Sequence, residues 1–191
     1  MANLGLESKG TKIQSVLAAV LNGNVVLIGM PAAGKTSVGR ILAHRLRRPL
    51  IDTDELIETR AGRSLAQLLA ECGREGFRRT EEMVVLEMQT RNSVISTGGS
   101  VVYSQPAMTH LSRCGVIVYL QVDLETLRRR GLDLRSRGVV CAPGQDLVGL
   151  LAERGPLYER FADLVVDARH DDPAFVAERL REQLYGFPKA S

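Results

Sequence analysis

Apolar and polar positions along the chain follow two alternating periodicities. Several short runs are apolar at nearly every position, as in Val25-Val-Leu-Ile28. Such runs are typical of strands that are buried on both faces of a parallel sheet. The predicted strands are 24–29, 49–52, 93–97, 116–122 and 164–167.

Segments with helical spacing separate these strands. In the first of them, apolar residues fall at Val38, Ile41, Leu42 and Leu46, which is the spacing of one helix face. The predicted helices are 35–47, 54–60, 64–72, 77–90, 105–112, 124–130, 147–158 and 172–185. Parallel strands joined through helices form right-handed crossovers, so the pattern predicts an α/β fold, a three-layer sandwich with a parallel sheet between helices.

Two segments stand outside this alternation. A short amphipathic helix is predicted at 11–21, so we expect an N-terminal extension at 1–22 and a single domain at 23–191. The stretch 131–145 combines glycines, a proline and arginines without a periodic pattern. That composition is typical of a mobile lid.

The composition limits the classes of protein to which the chain can belong. The chain has 191 residues, of which 45% are hydrophobic, so one domain can bury a core without disulfides. Three scattered cysteines favour a reducing compartment, and we predict a cytoplasmic monomer. The net charge is +3, but aromatic residues make up only 4%, so we expect no nucleic-acid partner. The apolar stretch 16–21 is too short to span a membrane, and no membrane partner is expected.

One motif carries a specific chemistry. The run Gly29-Met-Pro-Ala-Ala-Gly34-Lys35-Thr36 fits G-x-x-x-x-G-K-[ST] and lies between a predicted strand and a predicted helix. Glycines allow backbone N–H groups to face phosphates, the lysine reaches the β and γ oxygens, and the hydroxyl binds Mg²⁺. The predicted nucleotide site comprises Gly29, Met30, Pro31, Ala32, Ala33, Gly34, Lys35 and Thr36.

Two carboxylates follow the second predicted strand, in Asp52-Thr-Asp54. Ligands of open α/β sheets bind beyond the carboxyl ends of the strands. If the segment is extended, both side chains point the same way, one towards Mg²⁺ and the other towards an acceptor hydroxyl. Asp54 could instead only cap the helix that follows.

The motifs together resemble those of the shikimate kinase family of P-loop kinases. They are the phosphate loop, the Asp52–Asp54 pair, the segments 73–81 and 94–99, and Arg154-Gly-Pro-Leu-Tyr158, in the family's order over residues 22–185. Two positions differ from the family pattern. Ser100 replaces the usual third glycine, and Gly138 follows the lid arginine where the family has proline.

The resemblance implies a five-stranded sheet in the order 2-3-1-4-5, a lid, and ATP with Mg²⁺ as cofactors. It implies transfer of a phosphoryl group to the 3-hydroxyl of shikimate. The roles that it implies are catalysis by Lys35, Asp54 and Arg137, nucleotide contact by Arg137, metal binding by Thr36 and Asp52, and shikimate binding by Asp54, Arg78, Gly98, Gly99 and Arg154. It also places His170 and Pro173 beside the adenine.

Other functions stay open from the residues alone. Two arginines would also suit a sugar acid such as gluconate, or a nucleoside monophosphate, as the acceptor. A nucleotide-binding regulatory protein without turnover is a third possibility. Retention of Lys35, Thr36, Asp52 and Asp54 argues against that third reading.

Overall fold

A parallel sheet forms the centre of the computed structural model, which describes residues 23–132 and 139–185. Its strand order is β2-β3-β1-β4-β5, and each neighbouring pair is parallel. The strands are β1 (Asn24–Ile28), β2 (Leu50–Asp52), β3 (Val94–Ser96), β4 (Gly115–Gln121) and β5 (Leu164–Asp167). The predicted five-stranded sheet and its order are confirmed.

Helices flank this sheet, as the strand and helix alternation predicts. In the described ranges they are α1 (Lys35–Leu46), α2 (Thr53–Ala61), α3 (Leu65–Glu87), α4 (Gln105–Cys114), α5 (Leu124–Arg129), α6 (Leu147–Phe161) and α7 (Pro173–Tyr185). Helix α1 packs against α7, and α3 packs against α4. None of the described helices is both long and apolar enough to cross a membrane.

The core is centred on β1 and β4, two of the three inner strands of the sheet. All five residues of β1 are buried, as are the first six of β4. This continuous burial explains why β1 reads as an unbroken apolar run rather than as an alternating one. Because β1 is the central strand, the phosphate loop that follows its carboxyl end lies at the middle of the sheet, on the side where ligands of such folds bind.

Local signals set the helix ends. The Ser64 hydroxyl accepts a hydrogen bond from the backbone N–H of Gln67, and the Gln67 side chain accepts one from the N–H of Ser64. This is a capping box, and it starts α3 where the sequence predicts a helix start. Helix α2 ends at Gly62, whose φ is 64°, as expected for a left-handed C-terminal glycine.

Some predicted boundaries were wrong. The helices predicted at 64–72 and 77–90 form one helix, α3, bent at Gly73, where φ is 66° and ψ is −178°. Glycine adopts this backbone at no steric cost, so helical geometry resumes before Phe77. The helix also ends at Glu87 rather than Thr90, and a 3₁₀ turn at Val101–Tyr103 was not predicted.

Two further predictions concern residues outside the described ranges. The helix predicted at 11–21 belongs to residues 1–22, and Arg137 and Gly138 of the predicted lid belong to residues 133–138. Both stay predictions.

Candidate active site

The loop between β1 and α1 forms the floor of a cavity at the carboxyl ends of the strands. This cavity has a volume of about 550 Å³. Gly34, with φ of 95°, turns the chain into α1. The first N–H groups of a helix have no partner within the helix and carry partial positive charge, so the start of α1 is suited to an anion.

Lys35 lies at this helix start and is almost completely buried, with 8% of its surface exposed. Its Nζ donates hydrogen bonds of 2.8 Å to the carbonyl oxygens of Gly29 and Met30. An ammonium group has three protons, so one donor is left for a ligand. Burial lowers the Lys35 pKa to about 8, against the attraction of Asp54 and Asp52.

The first two residues of the predicted nucleotide site face away from the cavity. The Met30 side chain lies in the hydrophobic core. A Cβ on Gly29 would lie 2.8 Å from the carbonyl oxygen of Leu120, so glycine is required there by close packing on β4. Both residues can therefore contribute to the site only through their backbones.

Arg130, which no sequence motif indicates, also holds the phosphate loop. Its Nη1 donates to the carbonyls of Ala32 and Ala33 at 3.2 and 3.1 Å. Its Nη2 donates to the carbonyls of Ala168 and His170 at 2.8 and 2.9 Å. The guanidinium thus ties the phosphate loop to the segment after β5, at the cavity end that Pro173 also lines.

Three oxygen-bearing side chains meet beside the start of α1. The Thr36 hydroxyl donates to Oδ2 of Asp52 at 2.7 Å and lies 3.2 Å from the Ser96 hydroxyl oxygen. Asp52 and Ser96 are partners in the register of β2 and β3. The fold therefore brings together Thr36 and Asp52, the two residues predicted to bind a metal, and it places the Ser96 hydroxyl beside them.

The prediction that Asp52-Thr-Asp54 is extended was wrong, because α2 begins at Thr53. Asp52 is the N-cap, and its Oδ1 accepts a 3.0 Å hydrogen bond from the N–H of Asp54. The capping residue is thus Asp52 rather than Asp54. Asp54 still lines the cavity, from the first turn of α2. Burial raises the Asp54 pKa to about 6, although the charge of Lys35 lowers it.

Gly98 and Gly99 leave room for three other groups of the site to approach the backbone. A Cβ on Gly98 would lie 2.2 Å from Oε1 of Glu81 and 2.7 Å from Oδ1 of Asp54. A Cβ on Gly99 would lie 3.0 Å from Nη1 of Arg154. Side chains at these positions would therefore displace two carboxylates and an arginine of the cavity.

Glu81 is a buried acid in the cavity wall and is not among the predicted site residues. It is 2% exposed. The Ser100 hydroxyl donates to its Oε2 at 2.6 Å, whereas its Oε1 is buried without a hydrogen-bond partner among the described residues. Burial raises the Glu81 pKa to about 7. Ser100, which departs from the family pattern, thus binds a carboxyl group next to Asp54.

Arg154 enters the cavity from α6 and is only 1% exposed. Its Nη2 donates to the carbonyl of Val140, and its Nε donates to the Tyr103 hydroxyl at 3.1 Å. Among the described residues no carboxylate forms an ion pair with it. An arginine stays charged at neutral pH, so this buried cation is suited to an anionic ligand.

Tyr158 lies one helical turn after Arg154 and holds the glycine segment in place. Its hydroxyl donates to the carbonyl of Gly99 at 2.7 Å. Its ring stacks on Tyr119 with the ring centroids 5.1 Å apart. The same helix therefore positions both Arg154 and the backbone opposite it.

Arg78 lies next to the main cavity rather than among the residues that line it. It borders a smaller cavity of about 180 Å³ together with Glu81, Ser100 and Tyr103. Its guanidinium carbon is 3.8 Å from the centroid of the Tyr103 ring, and its Nε is buried without a hydrogen bond in the described chain. The structure thus brings Lys35, Asp54 and Arg154 into one cavity, with Arg78 beside it.

Fold and site together define the class. A parallel sheet in this order, a phosphate-binding loop after its central strand, and acidic and basic groups for a small acceptor are the features of a P-loop small-molecule kinase.

Comparisons with known proteins identify the family within that class. The family model described as "Shikimate kinase" matches residues 31–185. A shikimate kinase of Symbiobacterium thermophilum is 41% identical over 169 residues, covering 84% of this chain and 97% of that protein. One from Nitrosospira multiformis is 36% identical over 165 residues, covering 85% of each. The solved structure of shikimate kinase from Acinetobacter baumannii, in complex with shikimate, matches with a TM-score of 0.80 and 29% identity, covering 86% of this chain and 93% of that one.

The chain belongs to the shikimate kinase family. It is an ATP-dependent phosphotransferase that acts on a hydroxyl group of shikimate. The resemblance inferred from the motifs is confirmed, and shikimate is favoured over a sugar acid or a nucleoside monophosphate as the acceptor.

Proposed function

We propose that the cavity performs this reaction with its two substrates at opposite ends, ATP against the phosphate loop and shikimate against Arg154. The observation that carries this proposal is the state of Arg154. It is 1% exposed in the same cavity as Lys35 and has no ion pair among the described residues. The carboxylate of shikimate supplies the missing negative charge, and a guanidinium can bind it through two parallel hydrogen bonds.

At the nucleotide end, the start of α1 and Lys35 bind the phosphates. The carbonyl oxygens of residues 29, 30, 32 and 33 all accept hydrogen bonds from Lys35 or Arg130. These hydrogen bonds turn the carbonyl groups of the loop towards Lys35 and Arg130. Backbone N–H groups of the loop therefore remain available for phosphate oxygens. Lys35 then stabilises the charge on the transferred γ-phosphoryl group.

At the acceptor end, Asp54 receives the proton of the 3-hydroxyl. The hydroxyl oxygen forms a bond to the γ-phosphorus as the bond between that phosphorus and the β–γ bridging oxygen breaks. The proton moves to a carboxylate oxygen of Asp54, and ADP leaves with the electron pair of the broken bond. A carboxyl group with a pKa of about 6 is ionised at neutral pH and remains basic enough to accept this proton.

The Thr36 hydroxyl and the Asp52 carboxylate fit Mg²⁺. Both are hard oxygen donors 2.7 Å apart, and Mg²⁺ is commonly held by one or two carboxylates together with substrate phosphates. The described residues contain no group of three or more acidic, histidine or cysteine side chains for a metal. Phosphate oxygens of ATP would therefore complete the coordination, and the ion would neutralise charge on the phosphates.

Asp52→Asn tests this metal role. We expect the Mg²⁺ concentration for half-maximal activity to rise about 10- to 100-fold, because losing a carboxylate partner weakens metal binding by that order. The measurement is a Mg²⁺ titration at saturating ATP and shikimate. Asparagine caps helices about as well as aspartate, so the start of α2 stays intact.

Asp146→Asn is the matched control. Asp146 caps α6 through a 2.8 Å hydrogen bond from the N–H of Gly149 and is exposed. The same substitution there should leave the titration unchanged. If Asp52→Asn also leaves the titration unchanged, Asp52 has no part in binding the metal.

A panel of acceptors tests the overall proposal. With Mg-ATP in a coupled ADP assay, we expect turnover with shikimate and only background hydrolysis with gluconate or AMP. The methyl ester of shikimate keeps the hydroxyls but loses the charge that Arg154 binds. Its KM should be about 10- to 100-fold higher, as expected for the loss of a charge-assisted hydrogen bond.

The Arg154 variant makes this test specific. In Arg154→Met, shikimate and its ester should have similar KM values, because the arginine that distinguishes them is gone. If the wild-type enzyme uses the ester as well as shikimate, the carboxylate is not bound by Arg154.

Three further assignments stay predictions. Arg137 is proposed to meet the transferring phosphoryl group, and it lies outside the described residues. The cytoplasmic location and the monomeric state also stay predictions.

A further inference from the structure

Tyr103 lies where the two arginines of the acceptor end meet. It closes the 3₁₀ turn that follows Gly98–Ser100 and is partly exposed. None of the motifs that identify the family includes it. Its ring and its hydroxyl both contact positively charged groups.

The ring is a platform for guanidinium groups. The Arg78 guanidinium carbon lies 3.8 Å from the ring centroid, and that of Arg154 lies 5.1 Å from it. Both distances are within the range of cation–π attraction. Stacking leaves the edge of a guanidinium plane, which carries its N–H donors, available for hydrogen bonds.

The hydroxyl has a fixed orientation. It donates to Oε1 of Glu153 at 2.6 Å and accepts from Nε of Arg154 at 3.1 Å. Glu153 is itself held, because its Oε2 accepts a 2.6 Å hydrogen bond from Nε2 of Gln145. Because its O–H bond points at Glu153, the Tyr103 hydroxyl directs an oxygen lone pair towards Arg154.

The surroundings of Tyr103 reduce the repulsion between the two arginines. Arg78 comes from α3 and Arg154 from α6, and two like charges that converge on one ligand repel each other. The electron-rich ring lies beside both arginines, and the Glu153 carboxylate attracts both, so together they offset that repulsion. The Nε bond also sets the direction of the Arg154 side chain.

We propose that Tyr103 is a positioning residue for shikimate recognition, holding Arg78 through its ring and Arg154 through its hydroxyl. It acts through these arginines and not on the reacting atoms. The inference rests on the role proposed above for Arg154 and on the shikimate contact that the family resemblance implies for Arg78.

Two substitutions separate the two contacts. Tyr103→Phe keeps the ring and removes the hydroxyl, and we expect the KM for shikimate to rise about tenfold. Tyr103→Leu also removes the ring, and we expect a further rise of about threefold. The KM for ATP and the kcat should stay within twofold of the wild-type values. Tyr185→Leu, at the end of α7, is the control and should change neither KM.

A double-mutant cycle shows whether Tyr103 acts through Arg154. In an Arg154→Met background, Tyr103→Phe should raise the KM for shikimate by less than twofold, because the hydroxyl has lost the group that it positions. A purely structural role would instead lower the melting temperature and affect both substrates equally. That result, or a full tenfold effect in the Arg154→Met background, overturns the inference.

The outcomes also separate this inference from the proposed function. If the Arg154→Met enzyme binds shikimate normally, the proposed role of Arg154 is wrong. If Arg154→Met weakens shikimate binding but both Tyr103 variants bind it normally, only the role of Tyr103 is wrong.

Discussion

Replacing Asp54 with asparagine should lower kcat by about 10²- to 10⁴-fold, the usual contribution of a positioned general base. Asparagine has nearly the same shape and still accepts a hydrogen bond from a hydroxyl, but it cannot take up the proton. The binding of both substrates should therefore change little. Steady-state kinetics with shikimate as the varied substrate measures the two effects separately.

The pH dependence gives this prediction a second measurement. Burial raises the Asp54 pKa to about 6, so the carboxylate form is lost as the pH falls through that value. We expect kcat/KM for shikimate in the wild-type enzyme to decline below about pH 6 for this reason. The residual activity of Asp54→Asn should lack this inflection. An unchanged acidic limb in the variant would assign it to another group, such as Glu81, whose pKa is raised to about 7 by burial.

Glu55→Gln is a matched control for Asp54→Asn. Glu55 follows Asp54 in the first turn of α2 but is exposed and does not line the cavity. Both substitutions remove one negative charge near the start of the same helix, so the effect on the helix dipole is similar. We expect Glu55→Gln to retain the wild-type rate.

The elements that were predicted well have signals within a few residues of each other. The unbroken apolar run of β1 predicts a strand that is buried on both faces. The phosphate loop is also local, because its chemistry depends on backbone N–H groups and on the two side chains that follow Gly34. The order of the strands in the sheet has no local sequence signal, and it was predicted only from the resemblance to the family.

The Asp52–Asp54 pair shows where a local signal misleads. Asp54 lines the cavity and Asp52 lies beside Thr36, but the expected geometry was that of a strand. Asp52 is also an excellent N-cap, and the helix that it caps begins at Thr53, so the strand ends two residues earlier than an extended Asp52-Thr-Asp54 requires. The residues beside Asp52 come from other elements: Thr36 lies in α1 and Ser96 in β3.

The residues that were missed depend on long-range contacts. Tyr103 and Arg154 meet across 51 positions of the chain, and Arg130 meets Ala32 across 98. Arg130 is one of three consecutive arginines at 128–130, and the sequence does not distinguish the one that faces inward. Glu81 offered a usable signal, since it lies three positions after Arg78 and thus on the same side of α3.

Lys35→Met should lower kcat by on the order of 10²- to 10³-fold, as for the loss of a preorganised donor to developing charge. Lys35 holds the phosphate loop through Gly29 and Met30 and has one proton left for the γ-phosphoryl group. Methionine has a similar length and carries no charge. The KM for shikimate should change little, because Arg154 and Asp54 are untouched.

Folding of this variant can be checked independently. Burial lowers the Lys35 pKa to about 8, so Lys35 is still mostly charged at neutral pH, but its charge is less favourable in the folded than in the unfolded chain. An apolar side chain removes that cost. The Gly29 and Met30 carbonyls lose a donor, which opposes this gain. We therefore expect a melting temperature close to that of the wild type. A large loss of kcat at an unchanged melting temperature assigns Lys35 to the chemical step, whereas loss of activity in proportion to unfolding would make it a structural residue of the loop.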